Sequence, residues 1–301
     1  MTTPKKIGFI GVGLMGHGMA KNLLEKGHDL TILGHRNRVP VEDLVARGAT
    51  EAANPAEVAR KTDIIFLCVP SSLHVEAVIQ GANGILDGAH EGLIVVDTST
   101  ADPDSTLRLA EVLQAKGVRM VDAPLTRTPK QAEEGRLNVM VGASDALFDE
   151  LKPVIEGFAE NIILAGPLGS GHKIKLINNF IALGNAAIIA EAVSLATKVG
   201  VDLEKLFELV SSGGANSNIF QMIMPWVLSG DISNMQFAIQ NAAKDLRYFA
   251  QLSLAAKMVS PISPAVLGTF SLAEATGNGE EFVPKLCDVI ARINKVDVHK
   301  K

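Results

Sequence analysis

A doubly wound, parallel α/β domain followed by an all-α domain is the fold this sequence predicts, and three observations predict it. From Lys6 to about Gly166, short β-rich runs alternate with helical stretches. The first of those runs ends in a glycine-spaced loop that opens a helix. Beyond GPLGSG, near residue 170, the strand signals stop and helical periodicity takes over. The boundary implied is 1–167 for the α/β part and 168–301 for the helical part, which suits 301 residues at ~100–200 per domain. Two domains would leave a cleft for a ligand.

The predicted strands are IGFIGVG, DLTIL, DIIFLCV, LIVVDT, VRMVDA, LNVMVG and NIILAG. Their near-continuous apolar character, in place of alternation, is that of strands covered by helices on both faces. Lys173 to Gly200 reads as one long helix, apolar on nearly every side. Such a helix must be covered all round, by its own domain, a second subunit or both, so a homodimer or homotetramer is predicted. Its apolar stretch, Phe180 to Leu195, is interrupted by Asn185 and Glu191 and falls short of the ~20 residues a bilayer requires. It reads as a buried helix, with no membrane partner.

A formal net charge of −5, with no large Lys/Arg cluster, argues against a nucleic-acid partner and for a small molecule. MTTPKK runs straight into the first strand without a secretory pattern, which predicts a cytoplasmic protein. The two cysteines, Cys68 and Cys287, fall in apolar segments and read as buried, inert thiols. His28, His74 and His172 show no metal-ligand spacing, so they read as exposed or loop residues and no metal is predicted.

Gly11, Gly13 and Gly16 form GxGxxG between the first strand and a helix. Gly11 would allow the tight turn, Gly13 the approach of backbone to a pyrophosphate, and Gly16 close packing of helix on strand. The anion would sit on Gly11, Val12, Gly13, Leu14, Met15 and Gly16, at a helix N-terminus whose N–H groups point outward. With a strand before, a helix after and a second strand about 20 residues on, this is the dinucleotide-binding fingerprint of a Rossmann domain. At the end of that second strand, an NAD enzyme needs a carboxylate for the ribose hydroxyls. Here Gly34, His35, Arg36, Asn37 and Arg38 stand instead, and two guanidiniums favour the 2′-phosphate of NADP over NAD.

GFIGVGLMGHGMAKNLLEKGH, VDTST, DAPLTRTPKQAEEGRL, GSGHKIKLINN and AAKDL, in that order along nearly the whole chain, resemble the β-hydroxyacid dehydrogenases. That family reduces acidic aldehydes or oxidises β-hydroxyacids, among them 3-hydroxyisobutyrate, tartronate semialdehyde, succinic semialdehyde and sulfolactaldehyde. The resemblance implies that Lys175 is catalytic, that the asparagines of KLINN, Asn178 and Asn179, bind substrate, and that Val69, Pro70, Thr100 and Lys244 contact the cofactor. The pattern also makes independent sense. Lys175, Asn178 and Asn179 stand at i, i+3 and i+4, so a helix puts them on one face. A partly desolvated ammonium exchanges a proton readily near neutral pH, and an amide can hold a substrate oxygen.

Where the family carries Ser-Gly-Gly after DAPV, this chain has Thr126, Arg127 and Thr128. A guanidinium between two hydroxyls would clamp a carboxylate or sulfonate, and an Arg-Thr pair there resembles the sulfolactaldehyde reductase branch. The alternative is that Arg127 pairs with a local acid such as Glu133 or Glu134. Two other functions compete. An imine reductase shares the architecture but generally lacks the lysine, and a non-catalytic NADP-binding module would need neither Lys175 nor Asn179.

Overall fold

The computed structural model describes residues 4–299, which divide into two compact units with the boundary between Lys175 and Leu176. Nine strands make the sheet of the first unit: β1 (Lys6–Ile10), β2 (Asp29–Leu33), β3 (Thr50–Ala52), β4 (Ile64–Leu67), β5 (Ile94–Asp97), β6 (Arg119–Asp122), β7 (Leu125–Thr126), β8 (Leu137–Gly142) and β9 (Ala159–Gly166). The helices around it are α1 (Gly16–Glu25), α2 (Val39–Ala46), α3 (Pro55–Lys61), α4 (Ser72–Gln80), α5 (Ile85–Gly88), α6 (Pro103–Gln114), α7 (Pro129–Glu133) and α8 (Asp145–Ile155).

The strand order is β3-β2-β1-β4-β5-β6-β8-β7, with β9 on β8. From β3 to β6 all pairs are parallel, and the order reverses between β1 and β4, the switch point where open α/β sheets bind ligands. All seven predicted runs form strands, but the sheet is not wholly parallel. β8 runs antiparallel to both β6 and β7, because the chain carries on from β6 through β7 and turns back at α7 as a hairpin. β9 then pairs parallel with β8.

Both faces of the sheet are buried, with period two. Ile7 and Phe9, Ile64 and Phe66, Ile94 and Val96 face one core, while Ile10, Ile65, Leu67 and Val95 face the other. Phe66 stacks on Phe9 with centroids 6.0 Å apart and meets Phe158 edge-on at 5.5 Å. Two histidines depart from the sequence expectation: His28 and His172 are buried, whereas His74 is exposed. Burial and the neighbouring Lys5 hold His28 below the usual imidazole range. Burial pushes the Cys68 thiol up to about 11 and the Cys287 thiol well above the thiol range, so neither is a thiolate.

The second unit is all helical: α9 (Ser170–Lys198), α10 (Leu203–Ser211), α11 (Asn218–Ser229), α12 (Ile239–Ala255), α13 (Ser263–Ala273) and α14 (Leu286–Ile293), with the contact boundary inside α9, after its first turns. Its core joins Leu183, Ala186, Ala190 and Val193 of α9 to Phe220 and Met224 of α11, Leu246 of α12 and Phe270 of α13. At 29 residues, with an apolar window of mean hydropathy 1.7, α9 is long and apolar enough to cross a membrane by length and composition. The apolar run Phe180 to Leu195 counted from sequence is only part of this helix, which runs from Ser170 to Lys198. Of that window, 44% is buried by the protein itself. The opposite face leaves Ile174, Ile177, Ile181, Ile188 and Leu195 exposed.

Truncating Phe66 to Ala removes a fully buried ring from the middle of the sheet, a change that costs ~3–5 kcal/mol in well-packed cores. The expected result is a lower urea midpoint for the unfolding of the first unit, followed by circular dichroism. A midpoint equal to that of the wild type would mean that the three rings do not anchor the sheet.

Candidate active site

The turn from β1 into α1 is built around its glycines. Gly11 has φ +103°, and a Cβ there would overlap the Cys68 carbonyl at the end of the neighbouring β4. A Cβ on Gly16 would overlap the Gly11 carbonyl and touch Phe9, so the helix can lie this close to the strand only without a side chain. Gly13 differs. Its ideal Cβ meets nothing within 4 Å, so the space beside it is open to a ligand. No side chain caps α1 and no acid stands in its first turn, which leaves the helix N-terminus fit for an anion. Val12 is buried, Met15 half-buried and Leu14 exposed in the same loop.

At the end of β2, Gly34 lies under an ion pair between Arg38 and Glu51, with nitrogen–oxygen distances of 2.7 and 2.8 Å. Of the two arginines read as cationic partners for a 2′-phosphate, Arg38 is therefore already neutralised by a carboxylate from β3. His35 and Arg36 are exposed, and Arg36 has no ion pair among the described residues. The Val69 N–H donates to Ser99 Oγ at 3.0 Å, joining the turn after β4 to the VDTST segment; Val69 and Thr100 are half-buried and Pro70 exposed.

The first turn of α9 is held by groups that sequence reasoning missed. The Asp122 carboxylate at the end of β6 accepts from the N–H of Gly169 at 2.6 Å and of His172 at 2.7 Å, serving as a cap supplied by a distant strand. Burial pushes this carboxyl above the usual carboxylate range, against the pull of His172 and these donors. The buried His172 ring contacts Thr106 Oγ1 at 2.9 Å and the Ser99 carbonyl at 3.2 Å, and lies 3.8 Å from each of Asp97 and Asp122. The available signal was an acid closing each of two adjacent apolar strands, IVVD and RMVD.

Along α9, Lys175 is half-buried, Asn178 exposed and Asn179 buried, at the helical spacing that puts them on one face. Asn179 Nδ2 donates to Asp245 Oδ2 at 2.7 Å, and its Oδ1 accepts from Asn178 Nδ2 at 3.2 Å. Asp245 is itself buried and sits 3.1 Å from the half-buried Lys244 ammonium. It too was missed, although a carboxylate at i+3 of Ala242, within the apolar stripe of α12, marks it in the sequence.

The three residues anticipated as an anion clamp all have protein partners. Thr126 Oγ1 accepts from Asn138 Nδ2 at 3.0 Å. Arg127 ion-pairs with Glu160 and donates to the Arg136 carbonyl, which differs from the local acids Glu133 and Glu134 considered from sequence. Its backbone is left-handed, φ +86°, where a glycine would be unstrained. The Thr128 backbone N–H and hydroxyl both donate to Gln131 Oε1, capping α7.

Residues 6–166 match the family model for the NAD binding domain of 6-phosphogluconate dehydrogenase, and residues 169–287 match that for the NAD-binding region of NADP-dependent 3-hydroxyisobutyrate dehydrogenase. The chain is 34% identical over 295 residues to 2-(hydroxymethyl)glutarate dehydrogenase of Eubacterium barkeri, covering 97% of each. It is 34% identical over 276 residues to 3-sulfolactaldehyde reductase of Escherichia coli, covering 91% of this chain and 92% of that one. Among solved structures, 3-hydroxyisobutyrate dehydrogenase from Salmonella typhimurium is similar at a TM-score of 0.84 and 27% identity, over 95% of this chain and 99% of that one.

Gly13 and Gly16 make opposite demands, which separates binding from folding. Gly13→Ala fills open space at a permitted φ, so melting should be unchanged while NADPH affinity, read by fluorescence titration, falls about tenfold or more. Gly16→Ala should instead lower stability by ~1–3 kcal/mol, since helix and strand must move apart. Wild-type NADPH affinity in Gly13→Ala would remove the loop from the cofactor site.

Proposed function

This chain belongs to the β-hydroxyacid dehydrogenase family and is a nicotinamide-dependent oxidoreductase of hydroxyacids and semialdehydes; on that premise we propose that Lys175 moves the proton and Asn179 holds the reacting oxygen of a small acidic semialdehyde. The observation that carries this reading is the shared face of α9, on which a half-buried lysine stands one turn from an asparagine whose amide is oriented by the buried Asp245. Asn179 Nδ2 has two hydrogens and Asp245 takes one. The second has no protein partner among the described residues and suits a substrate oxygen.

Residues 11–16 would hold the nicotinamide cofactor, which would supply or accept the hydride when bound. As the substrate carbonyl gains negative charge during reduction, the Lys175 ammonium donates a proton to that oxygen; in oxidation the amine takes the hydroxyl proton back. Asn179 fixes the oxygen within reach and stabilises its developing charge. Thr126, Arg127, Thr128 and Asn178 are the residues we assign to the acidic end of the substrate, with Arg127 sharing its charge between that anion and Glu160. The E. barkeri and E. coli relatives, named for hydroxymethylglutarate and sulfolactaldehyde, both act on small acids, which supports the acidic class and leaves carboxylate and sulfonate as alternatives for assay. The exposed stripe Ile177, Ile181, Ile188 and Leu195 supports a homo-oligomer, and the overall reading is of a cytoplasmic enzyme.

For the cofactor we assign NADP over NAD. No acid closes β2 itself, Arg36 has no ion pair among the described residues, and the Glu51 carboxylate beside the turn is neutralised by Arg38. KM for NADPH should therefore be lower than for NADH, with Arg36→Ala narrowing the gap. A wild-type preference for NADH would overturn the assignment.

A panel of methylmalonate, tartronate, succinic and sulfonated semialdehydes with a neutral aldehyde of similar length tests the substrate class. Turnover should be confined to the acidic members, and Lys175→Ala should lower kcat about a hundredfold or more with NADPH affinity intact. Equal use of the neutral aldehyde, or full turnover by Lys175→Ala, would refute the reading.

A further inference from the structure

The helix that follows the phosphate loop also carries the segment assigned to substrate. α7 has five residues, too few to hold a helix alone, yet it fixes the end of the stretch 126–128. Its last carbonyls are tied to α1: Lys21 Nζ donates to the Glu133 carbonyl at 2.8 Å, and Asn22 Nδ2 to the Ala132 carbonyl at 2.9 Å. Gly18 lies so close beneath that a Cβ would overlap the backbone of Ala132 and Glu133.

His17 completes this contact from the first turn of α1. Its Nδ1 is 2.6 Å from Glu133 Oε1 on α7, and its Nε2 is 2.9 Å from Asp43 Oδ2 on α2. Lys21 Nζ also reaches Glu133 Oε2 at 2.9 Å, Arg47 Nε reaches Asp43 Oδ2 at 2.7 Å, and Arg47 Nη1 is 3.4 Å from Glu25. Hydrogen bonds from Arg47 and then His17 hold the Asp43 carboxyl below the usual range. Although burial opposes it, Glu133 is likewise held low by His17 and Lys21. Both acids are thus acceptors only. A ring flanked by two such acceptors satisfies both when both nitrogens carry hydrogen; a neutral imidazole has one N–H and turns a lone pair toward the other carboxylate.

We propose that His17 is a positioning residue for the substrate segment: its ring bridges α7 to α2 across α1 and so fixes the loop carrying Thr126, Arg127 and Thr128. Without the ring both arms of the bridge are lost, with Lys21, Asn22 and the fit over Gly18 remaining. The proposal rests on the reading above only in taking 126–128 to meet substrate.

Hydrogen–deuterium exchange of the intact protein, followed by mass spectrometry, tests it in the peptide spanning residues 125–137. In His17→Asn, opening of this peptide should rise about fivefold over the wild type, and in His17→Arg, whose charged fork donates to both acids, the peptide should stay as protected as in the wild type. The β1 peptide, unchanged throughout, controls for folding. A His17→Asn segment as protected as the wild type would overturn the bridge. A raised KM for the acidic aldehyde in His17→Asn, with NADPH affinity unchanged, is expected. An exchange response with unchanged KM would uphold the bridge and overturn the assignment of the segment to substrate, so the two readings fail separately.

Discussion

The carboxylate of Asp122, sealed beneath the first turn of α9, is the contact on which the geometry of that helix's start depends. It accepts two N–H groups that a helix start would otherwise leave without partners, and it does so from the end of β6, so the helix is seated on the sheet itself. Gly171 makes the seat possible, since a Cβ there would overlap the Met140 carbonyl of β8 and crowd Asp122. A buried carboxylate is costly to ionise, as its raised pKa records, and two backbone donors with an adjacent imidazole offset that cost. Lys175 follows His172 by three residues, within one turn. The rigidity of the helix's first turns then carries the seat to Lys175, and for a group that must meet a reacting atom a displacement of about 1 Å is consequential.

What could be read from the sequence follows from how each feature is encoded. The seven long strands and α9 were legible because apolar runs of this length leave few alternatives. β3 and β7 were not, having three and two residues and hence no periodicity. The antiparallel return of β8 was hidden because a hairpin through α7 and a crossover helix look alike in composition. Glycine spacing predicted a phosphate loop, and the structure gives each of its glycines a distinct steric reason. Partnerships between distant residues were invisible: the acid that meets Arg127 is Glu160, 33 residues on, and the carboxylate that neutralises Arg38 lies on β3. His172 read as a loop residue because a single histidine has no pattern; its burial is decided by Asp97, Asp122 and Thr106, none of them its neighbour in sequence.

The segment 126–136 shows how a protein can hold an irregular loop in one shape before any ligand arrives. Asn161 donates to Asn138, Asn138 to Thr126, and Thr128 to Gln131, so the polar side chains of the loop form a closed set with β8 and β9. Pairing of Thr126 with Asn138 fixes the register, and α1 holds the far end through Lys21, Asn22 and His17. Within this frame Arg127 is the one residue with a side chain in left-handed backbone, at a cost of ~1–2 kcal/mol. Its ion pair with Glu160 is open to solvent, screened and therefore weak. The strain and the pair act on the fold in opposite directions, so neither gives Arg127 a strong structural reason to be arginine. What distinguishes it from the glycine that the backbone would prefer is a positive charge at the segment we assign to an anionic substrate. That charge is where the segment departs most from the Ser-Gly-Gly pattern of the family it resembles.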